Sequence, residues 1–390
     1  MKFTQLSGSN SKFSPVIQGE NSCCCPAQGI STPDTSTGTE NNAPYITGYK
    51  ETVAGSIPRV STELSLRDKW EHVKARISSF RMSFSVIPGI YAAGDPGENS
   101  DVFVTSNYKM SFDKLRVSLN GMDAWILVLD TAGINVWCAA GKGTFGTVEL
   151  LRRLALSGLL KIVSHRKIIM PQLGAPGIDS GEVRRKSGFR VLFGPVRAED
   201  IGKYIQNGFK ADAEMREIKF GFMDRLILTP IEFYMILPKL TYFVLFFLII
   251  FGLNPQGIFF RDAWFNGYLF LAGGLLSVLS GAFLTPVLLP FIPFRAFSVK
   301  GWIMGVVLFI SIAYFTEIPE TQSIFLSAAE FILFPLISSY LALQFTGATT
   351  FTSLSGVKKE LKYSLPVYIA GTIISFGCLI LYKISEWGII

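Results

Sequence analysis

The sequence is poor in the residues that most often form metal cages and disulfide frameworks. It has 390 residues, of which only two are histidines and five are cysteines. Three of the cysteines are contiguous at positions 23–25, a spacing that fits neither a disulfide framework nor a zinc site. A reducing compartment is therefore expected. The beginning of the chain also lacks a basic segment leading into an apolar core, so no secretory signal is predicted.

The first part of the chain lacks hydrophobic clusters. Residues 1–60 are rich in Ser, Thr, Gly, Asn and Pro. Such a segment cannot bury enough apolar surface to offset the entropy lost on ordering. We therefore predict a disordered polar leader over 1–60, and we assign no function to Cys23, Cys24 or Cys25.

The net charge of +7 is not arranged as a nucleic-acid surface. The basic residues are spread over helix faces and over loops beside apolar runs, and no platform of aromatic and basic residues occurs. We therefore predict no nucleic-acid partner. The charge is instead typical of membrane topology, in which basic loops stay inside.

Beyond residue 230 the chain is strongly apolar. Mean hydropathy is +0.39, and almost all long apolar runs follow Phe233. A helix of about 20 apolar residues crosses the hydrocarbon core of a bilayer. We therefore predict a soluble domain over 61–230 and an all-helical transmembrane domain over 231–390. Its five spans are expected at about 233–253, 264–284, 302–316, 324–345 and 366–382.

The loops between these spans predict their orientation. Arg295 and Lys300 lie between the second and third spans, and three lysines lie at 358–362, whereas 317–323 holds no basic residue. By the positive-inside rule the 61–230 domain is cytoplasmic, and the protein is placed in the inner membrane.

The sequence does not decide the role of two features of the membrane domain. The proline-rich stretch 285–294 predicts an irregular or re-entrant segment, and Glu330 is either a functional intramembrane carboxylate or a protonated or water-facing residue.

The 61–230 domain shows short strands alternating with helices. Strand patterns occur at 101–105, 124–129, 167–170, 189–193 and 225–228, and helical patterns at 112–120, 147–157, 180–186 and 198–207. This alternation predicts a mainly parallel sheet. Ligands of such sheets bind at the carboxyl ends of the strands.

Cys138 is the lone cysteine of this domain and follows the strand pattern Ala124–Leu129. It therefore lies where α/β folds bind ligands. Near a helix start, the helix dipole and Lys142 would favour the thiolate, which is the metal-binding form of cysteine. The alternative is that Cys138 is a small buried hydrophobe.

A glycine-rich motif beside Cys138 invites a nucleotide-binding interpretation. Residues 141–146 match GxGxxG, but eleven residues separate Leu129 from Gly141, whereas a dinucleotide fingerprint follows its strand at once. No carboxylate occurs at 165–172, where the ribose ligand would be expected. Nucleotide binding is therefore not predicted.

The segment Asn135–Lys142, NVWCAAGK, resembles the signature of the HgcA family, the corrinoid proteins of microbial mercury methylation. The likeness covers about residues 85–390, with further matching segments at 89–91, 104–109, 129–131, 171–177 and 193–197. It implies an α/β Rossmann-like corrinoid-binding domain followed by an all-α five-helix transmembrane domain.

The soluble domain is also similar to the large subunit of the corrinoid iron–sulfur protein of acetyl-CoA synthesis. That subunit has no cobalt-ligating cysteine at this position, carries its own cluster-binding cysteines and has no membrane spans, and this sequence differs in all three respects. A third corrinoid family supplies a histidine from a DxHxxG pattern. Neither His72 nor His165 is framed in that way.

The HgcA resemblance implies that Cys138 is the lower axial ligand of cobalt in a cobalamin-type corrinoid. A thiolate is a softer and stronger donor than an imidazole-type nitrogen and increases electron density on cobalt and on the methyl group opposite. A methyl-folate or a methyl donor protein would methylate cobalt. The methyl group of methyl-cobalt would then pass to Hg(II), as a carbanion equivalent or a radical, and give methylmercury.

The same resemblance implies roles for neighbouring residues and a partner. Asn135, Trp137 and Lys142 would shape and anchor the helix under the corrin ring, although core packing is an equal alternative for Trp137. Thr105 and Ser111 would offer hydroxyls to corrinoid side chains or to the tail. Cobalt must be reduced in each cycle and the sequence has no cluster motif, so a ferredoxin-like iron–sulfur partner, HgcB in that family, is expected.

Two other functions stay open. The first is a corrinoid methyl carrier of one-carbon metabolism, of the acetyl-CoA pathway type. The second is a membrane transporter with a cytoplasmic metal-sensing domain, in which Cys138 binds a soft metal.

Overall fold

The computed structural model describes residues 43–315, 323–348 and 354–389. Most of the predicted leader, including Cys23, Cys24 and Cys25, lies outside these residues. The end of that leader was wrongly predicted, because Ile46–Thr52 (β1) and Gly55–Val60 (β2) form an antiparallel hairpin. Glycines and Pro58 interrupt the strand pattern, so the hairpin is not evident from the sequence. Burial of Ile57 and Val60 in the domain core stabilises it.

A seven-stranded sheet is the centre of the α/β domain. Its other strands are β3 (Gly89–Ala93), β4 (Val102–Ser106), β5 (Ala124–Leu129), β6 (Lys167–Met170) and β7 (Arg190–Phe193). The strand order is β1-β2-β3-β5-β4-β6-β7. Strands β5, β4, β6 and β7 run parallel, but β3 is antiparallel to β5. Strand β2 also pairs with β3 in parallel, so four of the six pairings are parallel, and the sheet is mixed but mainly parallel, as predicted.

Short helices and turns connect these strands. The helices are α1 (Leu66–Ile77), α2 (Lys109–Ser118), α3 (Val136–Lys142), α4 (Thr147–Leu156), α5 (Leu159–Ile162), α6 (Ser180–Ser187), α7 (Ile201–Gln206) and α8 (Ala213–Arg216). The 3₁₀ turns are Ser79–Met82, Gln172–Gly177 and Ala198–Asp200.

The two faces of the sheet carry separate hydrophobic cores. Leu127 and Leu129 of β5 belong to the cluster that contains buried residues of α3 and α4, whereas Val128 belongs to the cluster that contains α2. Strand β4 follows the same alternation, because Ser106 pairs with Leu129 and Thr105 pairs with Val128. Ser106 therefore lies on the α3 side of the sheet and Thr105 on the α2 side.

A buried ion cluster joins α1 to α2. Lys109 Nζ lies 2.8 Å from both Asp68 and Asp113, and Arg116 lies 2.9 Å from Asp68 and 2.8 Å from Asp113. His72 Nε2 is 2.7 Å from Asp113. Burial raises the pKa of each carboxyl, but hydrogen bonds and positive charge outweigh it, so both pKa values lie below the ordinary 3.8. Both carboxylates are therefore ionised at neutral pH.

Five helices among the described residues are long and apolar enough to cross a membrane, which confirms the predicted number. These candidate spans are Phe222–Gly252, Phe260–Val287, Phe297–Tyr314, Ile324–Gln344 and Ser355–Glu386. Their helices are α9 (Phe222–Leu226), α10 (Thr229–Gly252), α11 (Phe260–Leu279), α12 (Thr285–Val287), α13 (Phe297–Phe315), α14 (Ile324–Gln344) and α15 (Leu354–Glu386). A short hairpin, β8 (Leu253–Asn254) and β9 (Gly257–Ile258), joins α10 to α11.

Two predictions at the edge of the membrane domain are corrected. The predicted strand 225–228 is instead the end of α9 and the turn before α10, because the Asp224 carboxylate accepts the Gly221 N–H at 2.9 Å and Pro230 lies in the first turn of the next helix. The stretch 285–294 begins as helix, through a π turn at Ser280–Leu284 and α12, and is irregular only from residue 288.

Aromatic rings and glycines pack the membrane helices. The Phe270 ring lies 4.7 Å from that of Phe247 and 5.0 Å from that of Phe334. A side chain at Gly273 would overlap Phe334. Helices α11 and α14 therefore approach closely because one of them has no side chain at the contact.

Polar contacts between described residues attach the α/β domain to the membrane helices at two places. The Arg197 guanidinium, just after β7, lies 3.1 Å from the Asp224 carboxylate of α9. At the end of α1, the Ser79 hydroxyl accepts a hydrogen bond from Tyr234 Oη of α10 at 3.2 Å. The domain is thus held to the bundle at two separated points of its chain.

Candidate functional site

Cys138 lies in the first turn of α3, at the carboxyl end of β5. Asn135 begins this helix, and its Oδ1 accepts the backbone N–H of Cys138 at 2.9 Å. The Cys138 side chain is half-buried. Cys138 therefore lies near a helix start, which is the condition under which the helix dipole favours a thiolate. The family resemblance implies a role for Asn135 under a corrin ring, and in the structure Asn135 caps the helix that carries the thiol.

The loop from β5 to α3 takes an unusual path. Ala132 and Gly133 are both left-handed, with φ of 54° and 71°. An alanine in this region costs about 1 kcal/mol or more, so its surroundings must fix it. The Asp130 carboxylate accepts the N–H of Ala132 at 3.1 Å and stabilises the turn.

Asn107, directly after β4, holds this loop. Its Oδ1 accepts the backbone N–H groups of Thr131 and Gly133, both at 3.0 Å, and lies 2.8 Å from the Thr131 hydroxyl. Its Nδ2 donates to Asp130 at 3.3 Å. One amide therefore joins the carboxyl ends of the two central strands, β4 and β5.

Glu149 of α4 holds the same loop from the other side. Its carboxylate accepts the N–H of Asp130 at 3.0 Å and pairs with Arg153 at 2.8 Å. Arg153 also donates to the carbonyl oxygen of Pro88 at 3.1 Å. The position of α3 is thus set by side chains from β4 and α4 before any ligand binds.

Two of the three motif glycines after Cys138, Gly143 and Gly146, have a structural explanation, whereas Gly141 lies within α3 with open space around it. Gly143 ends α3 with φ of 81°, and Gly146 begins α4. Side chains at Gly174 and Gly177 would overlap Phe145, which is fully buried. The turn Gln172–Gly177 therefore lies directly against the α3–α4 connection, and helix ends and close packing account for all of these glycines except Gly141.

Replacing Gly177 by alanine should destabilise this contact. The new Cβ would overlap the carbonyl oxygen of Phe145, so backbone must move, at a cost of about 1–3 kcal/mol. Gly89→Ala is the matched control, because nothing lies within 4 Å of a Cβ there. Urea denaturation of both variants checks the prediction, and an equal loss at the two positions would contradict it.

The alternation of β4 divides the predicted site residues between two sides of the sheet. Asn135, Trp137, Cys138 and Lys142 share α3, whereas Thr105 and Ser111 belong to the side covered by α2. Trp137 is half-buried and Lys142 is exposed. Thr105 is buried, Ser111 is half-buried, and the structure does not bring either together with α3.

Ser106 is a residue that the sequence interpretation missed. It ends β4 on the α3 side, is fully buried, and its hydroxyl has no hydrogen-bond partner in the described part of the chain. Such a hydroxyl is uncommon, because burying a polar group without a partner costs about 1–3 kcal/mol. The strand alternation alone could have identified it, since Ser106 and Thr105 must face opposite ways.

Asn135→Ala should weaken the first turn of α3. An unfilled N-cap costs about 1 kcal/mol. Asn135→Asp keeps the acceptor and adds a charge that favours a helix N-terminus, so it should retain the wild-type unfolding midpoint. Thermal unfolding of the two variants beside the wild type is the measurement. If alanine and aspartate behaved alike, the cap would not stabilise α3.

Tyr108 lies beside this site, and Glu330 lies apart from it in the membrane helices. Burial raises the pKa of Tyr108, which follows Asn107, so its phenol is protonated at neutral pH. Glu330 is buried and lines a cavity of about 440 Å³ with Asn266, Tyr382 and Glu386, in the membrane helices. Within 43–315, 323–348 and 354–389, no three His, Cys, Asp or Glu side chains are grouped so as to hold a metal.

Comparison with known proteins places the likeness in this α/β domain. Residues 78–205 match the family of the CO dehydrogenase/acetyl-CoA synthase delta subunit. The chain is also similar to gamma subunits of the acetyl-CoA decarbonylase/synthase complex. That of Methanocaldococcus jannaschii is 29% identical over 127 residues, or 32% of this chain and 26% of that protein. The gamma 2 subunit of Methanosarcina thermophila is 35% identical over 120 residues, or 30% of this chain and 25% of that protein.

The match spans only about a quarter of those relatives, and all five candidate spans lie beyond residue 205. These relatives agree with the resemblance to the corrinoid protein of acetyl-CoA synthesis, and a corrinoid-binding domain family fits the fold. They do not distinguish the HgcA family, which stays a prediction.

Proposed function

We propose that this chain is a membrane-anchored corrinoid protein that carries a methyl group in one-carbon transfer, with Cys138 as the lower axial ligand of cobalt. The observation that supports it most directly is the half-buried thiol on a capped helix at the carboxyl end of β5. The similarity of residues 78–205 to acetyl-CoA decarbonylase/synthase subunits supports the same class of cofactor.

The residues around Cys138 fit such a cofactor. A thiolate is a soft donor of the kind that suits a transition metal. The unpartnered Ser106 hydroxyl lies on the same side of the sheet and can bond a polar group of a ligand. Thr105 and Ser111 can contact the cofactor only if part of it reaches the α2 side of the sheet. Cobalt in a bound corrinoid would accept and release the methyl group.

The protein's own contribution is to hold the thiolate in a fixed position. Asn135 fixes the first turn of α3, and Asn107 and Glu149 fix the loop before it. Groups that hydrogen-bond around a metal ligand orient it and tune its donor strength. Lys142, exposed at the end of α3, can pair with an anionic part of the cofactor.

Hg(II) is the acceptor that the sequence resemblance favours. Segment 135–142 carries a cysteine where the acetyl-CoA type of corrinoid protein has no cobalt ligand, and a donor of that strength suits transfer of the methyl group as a carbanion equivalent. The second candidate acceptor is a protein of one-carbon metabolism, which the likeness of residues 78–205 to subunits of the acetyl-CoA decarbonylase/synthase complex favours. Either function needs a methyl-folate or methyl donor protein and a ferredoxin-like iron–sulfur partner as reductant.

The absorption spectrum of the purified full-length protein, reconstituted with cobalamin, tests the cofactor. Corrinoid bands that remain after gel filtration support the proposal, and their absence would contradict it and favour a transporter. Formation of methylmercury from Hg(II), with a methyl donor and a reductant present, then separates the two acceptors. A corrinoid-loaded protein that makes no methylmercury would be a methyl carrier.

The basic residues at 295–300 and 358–362 support a cytoplasmic α/β domain. They were predicted in loops, but Lys300 lies in the first turn of α13 and the three lysines lie near the start of α15. The Glu360 carboxylate accepts the N–H of Ser298, and the Phe220 ring lies 6.5 Å from that of Phe345, so these helix ends lie at the end of the bundle beside the α/β domain. Arg295, Lys300 and the lysines at 358–362 are therefore on the proposed inner side. In intact cells, Lys358→Cys should resist an impermeant maleimide, whereas Gln256→Cys between β8 and β9 should react. The reverse pattern would overturn this orientation.

A further inference from the structure

Helix α1 presents an apolar stripe to the outside. Leu66, Trp70, Val73 and Ile77 have exposed fractions of 83, 67, 45 and 43%. Their spacing of four, three and four residues places them on one side of the helix. Four large apolar side chains in a row are too many to leave in water without a partner, so this stripe marks a docking surface.

The opposite side of α1 is fixed to the α/β domain. Asp68 belongs to the buried ion cluster, His72 pairs with Asp113, and Ala75 is 1% exposed. The helix cannot rotate without breaking these buried ion pairs. The stripe therefore faces outward as a fixed property of the fold.

Basic residues border the stripe on both sides. Arg67 and Lys74 each follow a stripe position by one residue, which places them on one border of the helix. Lys69 and Arg76 each precede a stripe position and lie on the other border. An apolar stripe between two basic rows is typical of helices that lie in the headgroup region of a bilayer, with lysine and arginine reaching to anionic lipids.

The stripe is continuous with a membrane helix. Ile77, its last residue, lines an apolar groove of about 230 Å³ together with Phe233 and Leu237 of α10. Directly beyond it, Ser79 bonds Tyr234 of the same helix. Because α10 is a candidate span and Leu237 is 60% exposed, the stripe ends where a lipid-facing surface begins.

We propose that α1 lies in the lipid headgroup region of the bilayer, with its stripe against the acyl chains and its basic borders on anionic phospholipids. The docking partner is thus a phospholipid surface. Its recognition rests on α1 and α10 and does not depend on the cofactor proposed for Cys138. Trp70, in the middle of the stripe, is the type of residue that membrane interfaces favour.

Photo-crosslinking tests this assignment in the full-length protein in nanodiscs. The photoreactive residue p-benzoylphenylalanine replaces Trp70, and in a control protein it replaces Val148 of α4, which is 80% exposed. With phosphatidylglycerol in the bilayer, position 70 should give severalfold more lipid adduct than position 148. Equal adducts at the two positions would overturn the proposal, and so would crosslinks from position 70 only to protein, whether a second copy or another segment.

The basic borders are tested in the same assay. Combining Lys69→Gln, Lys74→Gln and Arg76→Gln should lower the adduct at position 70 severalfold in phosphatidylglycerol nanodiscs. In phosphatidylcholine nanodiscs the same three changes should have little effect. An equal effect in the two lipids would contradict the proposed contact between the basic borders and anionic headgroups. All these residues are exposed or half-buried, so the variants should fold.

Discussion

Cys138→Ala should abolish methyl transfer while the α/β domain stays folded. Alanine suits an α-helix and keeps the Asn135 cap, which binds the backbone of residue 138 rather than its side chain. It removes the sulfur that would ligate cobalt. Changes to outer-shell partners of metal ligands already cost about 10–100-fold, so loss of the ligand itself should exceed that range.

The measurements are the visible spectrum of the corrinoid-loaded protein, the methyl transfer rate and the unfolding midpoint. Cys378→Ala is the matched control, because Cys378 is likewise half-buried but lies in α15. Cys138→His would replace sulfur with a longer, weaker nitrogen donor, so it should change the spectrum and keep little activity. An alanine variant with a wild-type spectrum and full activity would make Cys138 an ordinary half-buried thiol.

Asp113→Ala should cause the largest loss of stability. The Asp113 carboxylate is fully buried and contacts Lys109, Arg116 and His72 within 2.8 Å. Its removal leaves two buried cations that share only Asp68, and breaking a buried ion pair on one side costs about 3–5 kcal/mol. Urea denaturation of the α/β domain within the full-length protein measures this loss.

Glu182→Ala is the control for Asp113→Ala. Glu182 pairs with Lys186 at 2.7 Å, but the lysine is 63% exposed, and such surface pairs contribute about 0–1 kcal/mol. Comparable losses in the two variants would mean that the buried cluster contributes no more than a surface pair.

The pH dependence of stability follows from the same carboxylates. Folding lowers the pKa of Asp68 and Asp113 below 3.8, so their stabilisation is present at neutral pH. It is lost as the pH falls below 3.8 towards the folded-state pKa values. Asp113→Ala should therefore show a weaker dependence on pH in that acid range than the wild type does.

Much of the fold could be predicted from local patterns. Runs of apolar residues identify β5 and the five candidate spans, because burial on both faces or in lipid requires continuous hydrophobicity. The start of α3 follows from an asparagine before a helical run. The hairpin β1–β2 and the helix α9 could not be predicted, because burial of Ile57 and the Asp224 cap, rather than hydropathy, determine them.

The candidate site could likewise be predicted only in part from the sequence. The position of Cys138 after a buried strand indicated the carboxyl end of β5, and the structure places the residue there, whereas ligand binding at that edge stays a prediction. The role of Asn107 could not be inferred from the sequence. Asn107 follows β4, whereas its partners Thr131 and Gly133 lie in the loop after β5, and only the pairing of these two strands brings them together. Ser106 was missed in favour of Thr105 because a composition-based choice of hydroxyls ignores strand alternation.

The two contacts between the α/β domain and the bundle have a kinetic consequence for any partner. A domain on a single flexible tether tumbles, and a partner must wait for the correct side to turn towards it. Contacts at both Ser79 and Arg197 restrict that rotation. A donor protein that is itself held at the membrane would then search for α3 in two dimensions and meet it over a narrower range of directions, which raises its chance of a productive encounter.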